Sequence, residues 1–82
     1  MTKEKIYEEL TSVFRDVFQD ENLNIDAAIT AEDVSGWDST ANVNLILAIE
    51  MKFGVVFHTS EVDEMQTVGD LADAIERKLI KL

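Results

Sequence analysis

The chain has 82 residues and a formal net charge of −10, with 46% hydrophobic residues, no cysteine and no proline. This length predicts a single domain over residues 1–82, with a thin core that buries about 60–65% of the unfolded surface. The charge argues against binding to nucleic acid or to anionic membranes, because both require basic surface. The absence of cysteine excludes disulfides and thiolate metal sites, which fits a reducing compartment.

No segment has the pattern of a membrane span or of a secretory signal. The longest apolar run, Leu45 to Ile49, is far shorter than the roughly 20 residues that cross a bilayer. Acidic residues interrupt the N-terminal segment from Glu4 onward, unlike a signal peptide. We therefore expect a cytoplasmic protein that does not insert into membranes.

The first predicted element is an amphipathic helix from Lys3 to Phe18. Its apolar residues recur at spacings of three and four, which places them on one face; they are Ile6, Leu10, Val13, Phe14, Val17 and Phe18. A connection of 20 residues follows, which is long for a compact domain and is therefore expected to be functional or tethered. A short turn is expected near Asp33 to Gly36, and the expected tethers are Leu23, Ile25, Ile29 and Val34.

This connection contains one pattern typical of a metal site. Oxygen-bearing residues alternate as in the first half of a calcium-binding EF-hand loop, at Asp20, Asn22, Asn24 and Asp26. The sixth position, which requires glycine, is Ile25, and the twelfth, which requires a bidentate glutamate, is Ala31. We therefore predict no metal site.

The stretch from Gly36 to Phe53 predicts a turn that opens into a second main helix. Asp38 and Ser39 are both favoured at a helix start, because a short side-chain oxygen accepts an unpaired backbone N–H there. Gly54 is the expected C-cap. For Trp37 two interpretations are open: an anchor packed against the first or last helix, or a ring that lines the site of a tethered substrate.

This second helix is apolar on more than one side. Leu45, Ile49 and Phe53, with Asn42 above them, have the spacing of a face turned to a core. The remaining stripe is the candidate docking face for a partner, and it consists of Thr40, Val43, Asn44, Leu47, Glu50 and Met51. The alternative is a central helix that is packed on all sides.

The C-terminal third predicts an extended link, a short helix and a last main helix. Phe57 is expected to plug the core from the link, and the short helix is expected from Ser60 to Met65, with Val62 and Met65 turned inward. The last helix opens at Thr67 with a capping-box pair to Asp70, and basic residues follow in its last turns at Arg77, Lys78 and Lys81. Its expected buried stripe is Val68, Leu71, Ala72, Ile75 and Leu79. The predicted fold class is all-α, with three main helices, one short helix and a long loop between helices one and two.

The residues WDST followed by VNLILAIEMKFG resemble the centre of an acyl carrier protein. In that family an Asp-Ser-Leu opens the second helix, and the serine is esterified to the phosphate of 4'-phosphopantetheine. Asp38 and Ser39 match the first two residues, whereas Thr40 stands where the family usually has Leu or Met. The similarity continues to the TVGDL that begins the last helix and covers most of the chain.

The resemblance implies a carrier that has no catalytic residues of its own. Ser39 would bear 4'-phosphopantetheine from coenzyme A and present an acyl group as a thioester. Fatty-acid carriers place several acids along this helix, and here only Glu50 remains, which suggests a specialised fatty-acid, polyketide or related pathway. Aminoacyl, peptidyl and D-alanyl carriers share the serine and are the nearest alternative; an acidic helical interaction module without a prosthetic group is the alternative from another class.

The residues themselves argue against hydrolytic catalysis at Ser39. A catalytic triad needs a base beside the serine, and His58 is the only histidine. The nucleophile-elbow motif G-x-S-x-G is also absent, since Gly36 lies three residues before Ser39 and Ala41 two after it. We interpret His58 as an exposed linker residue.

The distribution of charge predicts the kind of partner. Residues 20–38 hold six acids and no Lys or Arg, and residues 54–66 hold three acids and no Lys or Arg. Such segments steer basic surfaces. The expected partners of a monomer are a phosphopantetheinyl transferase and acyl-loading and acyl-processing enzymes with basic docking surfaces. The expected docking residues are Asp38, Thr40, Val43, Asn44, Leu47 and Glu50, with Glu32, Asp33, Glu61 and Glu64 as a steering rim.

Overall fold

The computed structural model describes residues 2–80, and for Ile80 the backbone alone. The helices are α1 (Lys3–Phe18), α2 (Ser39–Phe53), α3 (Thr59–Glu64) and α4 (Val68–Ile80), with a short 3-10 turn at Ala31–Asp33. The described part of the chain has one isolated bridge, between Thr30 and Thr67, and no strand. The all-α prediction is confirmed, whereas the position predicted for Lys81 lies outside the described residues.

The core lies between α1, α2 and α4. α1 begins and ends where its periodicity predicts, because Thr2 accepts the Lys5 N–H at 3.2 Å and Gln19 ends the helix in the left-handed region. Val17 and Phe18 are only partly buried. The largest fully buried side chains come from all three main helices: Ile6, Leu10, Phe14, Leu45, Ile49, Val68 and Ile75.

The long connection before α2 is held to this core by its apolar residues, as predicted. Val34 is buried, and the other three tethers are partly buried against the core. Arg15 of α1 adds a polar clamp, since its guanidinium donates to the Leu23 carbonyl at 2.8 Å and to Asn24 Oδ1 at 3.0 Å. The connection therefore has a fixed course across the helices.

The carboxylates in the calcium-like pattern organise this loop. Asp20 Oδ1 accepts the Asn22 N–H at 3.0 Å, and Asp26 Oδ1 accepts the Ala28 N–H at 2.9 Å. Within residues 2–80, no group of three or more His, Asp or Glu side chains has an arrangement that would hold a metal ion. The turn predicted near Asp33 to Gly36 is divided between the 3-10 turn and the residues that follow it.

The predicted bounds of the short helix were wrong by one residue. α3 begins at Thr59 and ends at Glu64, because Glu61 Oε1 accepts the His58 N–H at 2.9 Å and makes His58 the N-cap. The extended link before it is confirmed, with Phe57 buried as the plug. Val62 and Met65 are partly buried against the core, as expected.

The predicted capping box at the start of α4 is confirmed. Thr67 Oγ1 accepts the Asp70 N–H at 3.1 Å, and Asp70 Oδ2 accepts the Thr67 N–H at 3.2 Å. The buried stripe differs from the predicted one in two members, because Leu79 is only partly buried and Ala74, which lies outside the predicted stripe, is buried. No described helix is long and apolar enough to span a bilayer.

The two faces of α2 differ as the spacing predicts. Leu45, Ile49 and Phe53 are buried against the core. On the opposite side Val43 is 60% exposed, Leu47 52% and Met51 85%. α2 is therefore not packed on all sides.

Two leucines on α2 test this assignment directly. Leu45→Ala should lower the free energy of unfolding by about 2–5 kcal/mol, because it removes a fully buried side chain and leaves a cavity. Leu47→Ala should change it by less than about 1 kcal/mol, because water already reaches more than half of that side chain. Urea unfolding of both variants measures the difference. Equal losses for the two variants would contradict the assignment of the faces.

Candidate functional site

A tight turn brings the chain into α2. Trp37 N–H donates to the Val34 carbonyl at 3.2 Å, and Asp38 N–H donates to the Gly36 carbonyl at 3.1 Å. Gly36 has φ of 88°, a left-handed conformation that glycine adopts without steric cost. The buried side chain of Val34 fixes the start of this turn. The direction in which α2 begins is therefore set by backbone bonds on one side and by the core on the other.

The structure separates the roles of the two helix-starting residues. Asp38 is the N-cap, since its Oδ1 accepts the Ala41 N–H at 2.8 Å, and its carbonyl accepts the Asn42 N–H at 2.8 Å. Ser39 is the first residue of the helix and is exposed. Because the carboxylate of Asp38 does the capping, the hydroxyl of Ser39 is left on the surface.

Trp37 is an anchor on α1, which is the first of the two interpretations that the sequence left open. Its ring lies edge-on to Phe14 of α1, with 5.3 Å between centroids, and 6.1 Å from the ring of Phe18. Its Nε1–H donates to Asn42 Oδ1 at 2.9 Å. The same ring lines a groove beside Ser39. Trp37 is thus an anchor on α1 and a wall of the candidate site.

The groove beside Ser39 has a volume of about 560 Å³. Three segments form it: the 3-10 turn, the start of α2 and the junction between α3 and α4. Its lining residues are Thr30, Ala31, Glu32, Trp37, Asp38, Ser39, Asn42, Met65 and Gln66. Its lining includes both polar and apolar side chains, so it can contact polar as well as apolar parts of a bound group.

The first turn of α2 can accommodate a phosphate on Ser39. The amides of Ser39 and Thr40 have no acceptor among the hydrogen bonds of the described residues, and they lie at the positive end of the helix dipole. A phosphate there gains about 0.3–1 kcal/mol. The Asp38 carboxylate, one residue away, opposes part of that gain. The donor set therefore fits a phosphodiester without holding it tightly.

The predicted docking residues lie on one side of α2, with one difference among them. Thr40, Val43, Asn44 and Leu47 are exposed, as is Asp38 at the N-cap. Glu50 is half-buried, and its Oε2 accepts the Phe57 N–H at 2.8 Å. This bond gives Glu50 a structural role, because it holds the extended link against α2, and helical spacing alone does not reveal it.

The acids of the predicted rim also differ from one another. Asp33 Oδ2 accepts the Thr30 N–H at 2.9 Å, and Glu61 binds Lys78 at 3.0 Å in addition to capping α3. Glu32 and Glu64 are exposed, and neither forms a side-chain hydrogen bond or an ion pair with any described residue. Of the rim, Glu32 and Glu64 are the members whose charge faces solvent without an internal bond.

Glu61 links α3 to α4 close to the groove. The His58 N–H bond, followed by the Lys78 ammonium, holds the pKa of the Glu61 carboxyl below its usual range. Lys78 also lies 5.3 Å from the centre of the Phe57 ring, a cation–π distance. His58 is exposed, as predicted. These contacts fix the position of α3 against α4. The two residues that follow α3, Met65 and Gln66, form one wall of the groove.

The capping role of Asp38 gives a prediction about stability. Asp38→Asn should leave the free energy of unfolding nearly unchanged, because asparagine caps as well as aspartate. Asp38→Ala should lower it by about 1 kcal/mol, because the Ala41 N–H loses its partner. Thermal and urea unfolding of both variants measure this. If alanine and asparagine behave alike, Asp38 does not cap α2 in solution.

Comparisons with known proteins match both the sequence and the fold. The family model described as "Phosphopantetheine attachment site" matches residues 8–75. The acyl carrier proteins of Coprothermobacter proteolyticus and Thermosynechococcus vestitus are each 32% identical over 96% of this chain, and the matches cover 96% and 98% of those proteins. The solution structure of holo acyl carrier protein from Geobacter metallireducens has a TM-score of 0.87 and 35% identity, covering 92% of this chain and 86% of that one. The chain belongs to the acyl carrier protein family, whose members carry covalently attached 4'-phosphopantetheine.

Proposed function

We propose that Ser39 is the residue to which 4'-phosphopantetheine is attached, and that the chain delivers acyl groups to a dedicated biosynthetic pathway. The observation that carries the proposal is the exposed hydroxyl at the first position of α2, left out of the cap by Asp38. As a carrier protein, the chain presents substrates and does not catalyse their conversion. Fatty-acid biosynthesis is the usual role of the family, and a cytoplasmic location stays a prediction.

Attachment requires Ser39 to act as a nucleophile within a complex with the transferase. Its Oγ forms a bond to the phosphorus of coenzyme A that bears the pantetheine, the bond to adenosine 3',5'-bisphosphate breaks, and the hydroxyl proton passes to a base of the transferase. Among residues 2–80 no base lies in hydrogen-bonding contact with Ser39, and we assign this base to the transferase. Once attached, the group supplies a thiol that holds the acyl chain as a thioester.

The residues around Ser39 support delivery to more than one enzyme. The first turn offers a phosphate only a weak electrostatic gain, and Asp38 opposes part of it. The first turn of α2 would therefore hold the phosphate of such an arm only weakly, which would let the arm reach a partner. A carrier also has to dissociate after each step, which requires docking through a small surface with a fast dissociation rate.

The exposed face of α2 fits a partner surface with an apolar centre. Val43 and Leu47 are more than half exposed and lie one turn apart, beyond Ser39. Glu50 is the one acid of this face, and it is half-buried with its carboxylate bonded to the Phe57 amide, so the centre of the face is mainly apolar. We therefore assign recognition to apolar contact at the centre and to long-range attraction at the rim. We infer that fewer enzymes bind this mainly apolar face than bind a carrier whose second helix is acidic.

The attachment site is tested by intact mass. Co-expression with a broad-specificity phosphopantetheinyl transferase should add one phosphopantetheine group to the wild type and none to Ser39→Ala. Ser35→Ala is the matched control, because Ser35 is an exposed serine in the turn just before α2, and it should be modified like the wild type. Asp38→Asn should fold normally and be modified more slowly, because the charge beside the hydroxyl is lost.

Circular dichroism of each variant confirms that the helices are intact before modification is compared. A wild type that never gains mass would favour the acidic interaction module without a prosthetic group. Continued modification of the Ser39→Ala variant would show that the group is attached to another residue.

Docking is tested by association and dissociation kinetics with a cognate enzyme over a salt series. Leu47→Ala should weaken binding about 5- to 30-fold at both low and high salt, chiefly through faster dissociation, as expected for truncation of a central residue. A Glu32→Gln, Glu64→Gln pair should slow association at low salt only, because salt screens rim charges. A Glu8→Gln, Glu21→Gln pair makes the same change of charge beside α1, in a shallow groove that contains no residue of α2, and should have little effect.

Equal effects of the two glutamine pairs would mean that net charge, and not its position, governs association. An unchanged dissociation rate for the Leu47→Ala variant would show that Leu47 is not part of the docking surface.

A further inference from the structure

The hydrogen bond between Trp37 and Asn42 joins two special positions of α2. Trp37 precedes the N-cap, and Asn42 is the fourth residue of the helix. In many helices the residues at these two positions are both apolar and pack together, which fixes the angle at which the chain enters the helix. Here the contact is a hydrogen bond of 2.9 Å from the indole Nε1–H to Asn42 Oδ1.

A hydrogen bond constrains this junction more than an apolar contact does. Its strength depends on direction as well as distance, so it favours one orientation of the indole relative to the first turn. The bond also spans Ser39, because it joins a residue before the serine to one after it. A change in the entry angle of α2 would therefore have to break or bend this bond.

The indole is fixed on its other side by α1. Phe14 is fully buried and meets the Trp37 ring edge-on at 5.3 Å, and the Phe18 ring lies 6.1 Å away. Because Phe14 lies in the core, the indole cannot shift without disturbing well-packed side chains. Packing against Phe14 and Phe18 thus connects Trp37 to α1, and the hydrogen bond to Asn42 connects it to the first turn of α2.

We propose that Trp37 and Asn42 are a pair of positioning residues that hold the Ser39 hydroxyl in the orientation needed for phosphopantetheine transfer. The inference rests on Ser39 being the attachment site. Both residues line the groove beside Ser39 and neither takes part in the transfer itself. Transfer between two proteins depends steeply on the placement of the nucleophile, so a small change in the entry angle of α2 lowers the rate of the chemical step.

The pair is tested by variants that remove one partner at a time. Trp37→Phe keeps an aromatic ring against Phe14 but loses the indole N–H, and Asn42→Ala keeps the indole but loses its acceptor. Each should lower kcat of the transferase about 3- to 10-fold, the range expected from the loss of one neutral hydrogen bond. KM should stay the same, because the exposed face of α2 is unchanged. The double variant should be no slower than the single ones, because both remove the same bond.

The single tryptophan supplies a readout that does not depend on transferase activity. In the ¹H–¹⁵N spectrum of the apo protein, the Trp37 indole signal should shift in Asn42→Ala, and its proton should exchange faster with solvent. Asn22→Ala is the matched control, since Asn22 is an exposed asparagine in the long connection, and it should change neither the indole signal nor the modification rate. Thermal unfolding of each variant gives the fraction folded at the assay temperature.

The outcomes separate this inference from the assignment of Ser39. If the wild type is not modified at all, the attachment proposal fails and the pair has no serine to position. If the wild type is modified, faster indole exchange in Asn42→Ala with an unchanged kcat overturns the inference. Effects of the two single variants that multiply in the double variant also overturn it, because the two residues would then act separately. The inference is also overturned if the rate of modification falls only in proportion to the fraction of folded protein.

Discussion

The burial of Leu45 and Ile49 against the core is the contact on which the functional surface depends. A helix turns by about 100° per residue, so the choice of one buried face determines the direction of every other side chain. With Leu45 and Ile49 turned inward, Val43 and Leu47 are left in contact with water. The position of Glu50, between the two faces, explains why it is half-buried and why its carboxylate reaches the Phe57 amide. The core contact and the exposed apolar face that we propose for docking thus result from one constraint.

The sequence predicted most of the fold because α1 and α4 are ordinary amphipathic helices. Their apolar residues follow the helical period, and the start of α4 carries a recognisable capping box at Thr67 and Asp70. α2 is different, since it is apolar on two sides. Its spacing predicted Leu45, Ile49 and Phe53 as the core face, but it left open whether the other side was packed as well. Its exposed apolar face is the surface that we propose for docking. The start of α3 depends on the Glu61 carboxylate, and the spacing of apolar residues does not identify such a local contact.

Ser39 was predicted as the attachment site because Asp38 and Ser39, followed by a helix of matching length, resemble the centre of an acyl carrier protein. The bonds that support it were not predicted, because they connect residues that are distant in sequence or different in type. The Trp37 to Asn42 bond could have been inferred from the special positions of the two residues around the N-cap. The Glu50 bond to the Phe57 amide, in contrast, joins a helix to a link, and no pattern of hydrophobicity marks it.

Many acidic side chains of this protein also stabilise its backbone, which the net charge alone does not indicate. The chain has no proline and three glycines, so few of its turns are fixed by residues with restricted or unusual backbone angles. Carboxylates stabilise these turns instead. Within residues 2–80, seven carboxylates accept a backbone N–H, and they belong to Asp20, Asp26, Asp33, Asp38, Glu50, Glu61 and Asp70.

These bonds limit what the charge can do for partner recognition. A carboxylate that caps a helix or closes a turn keeps its charge, but its position is fixed by the fold and its removal disturbs the backbone as well as the electrostatic field. In Asp70 and Glu61 the backbone N–H bonds are the main reason that the pKa lies below its usual range. Most of the acids flanking α2 therefore fix the loops that hold Ser39 in place. Exposed acids without such bonds, such as Glu32 and Glu64, have no such structural role, so their replacement changes the electrostatic field without disturbing the backbone.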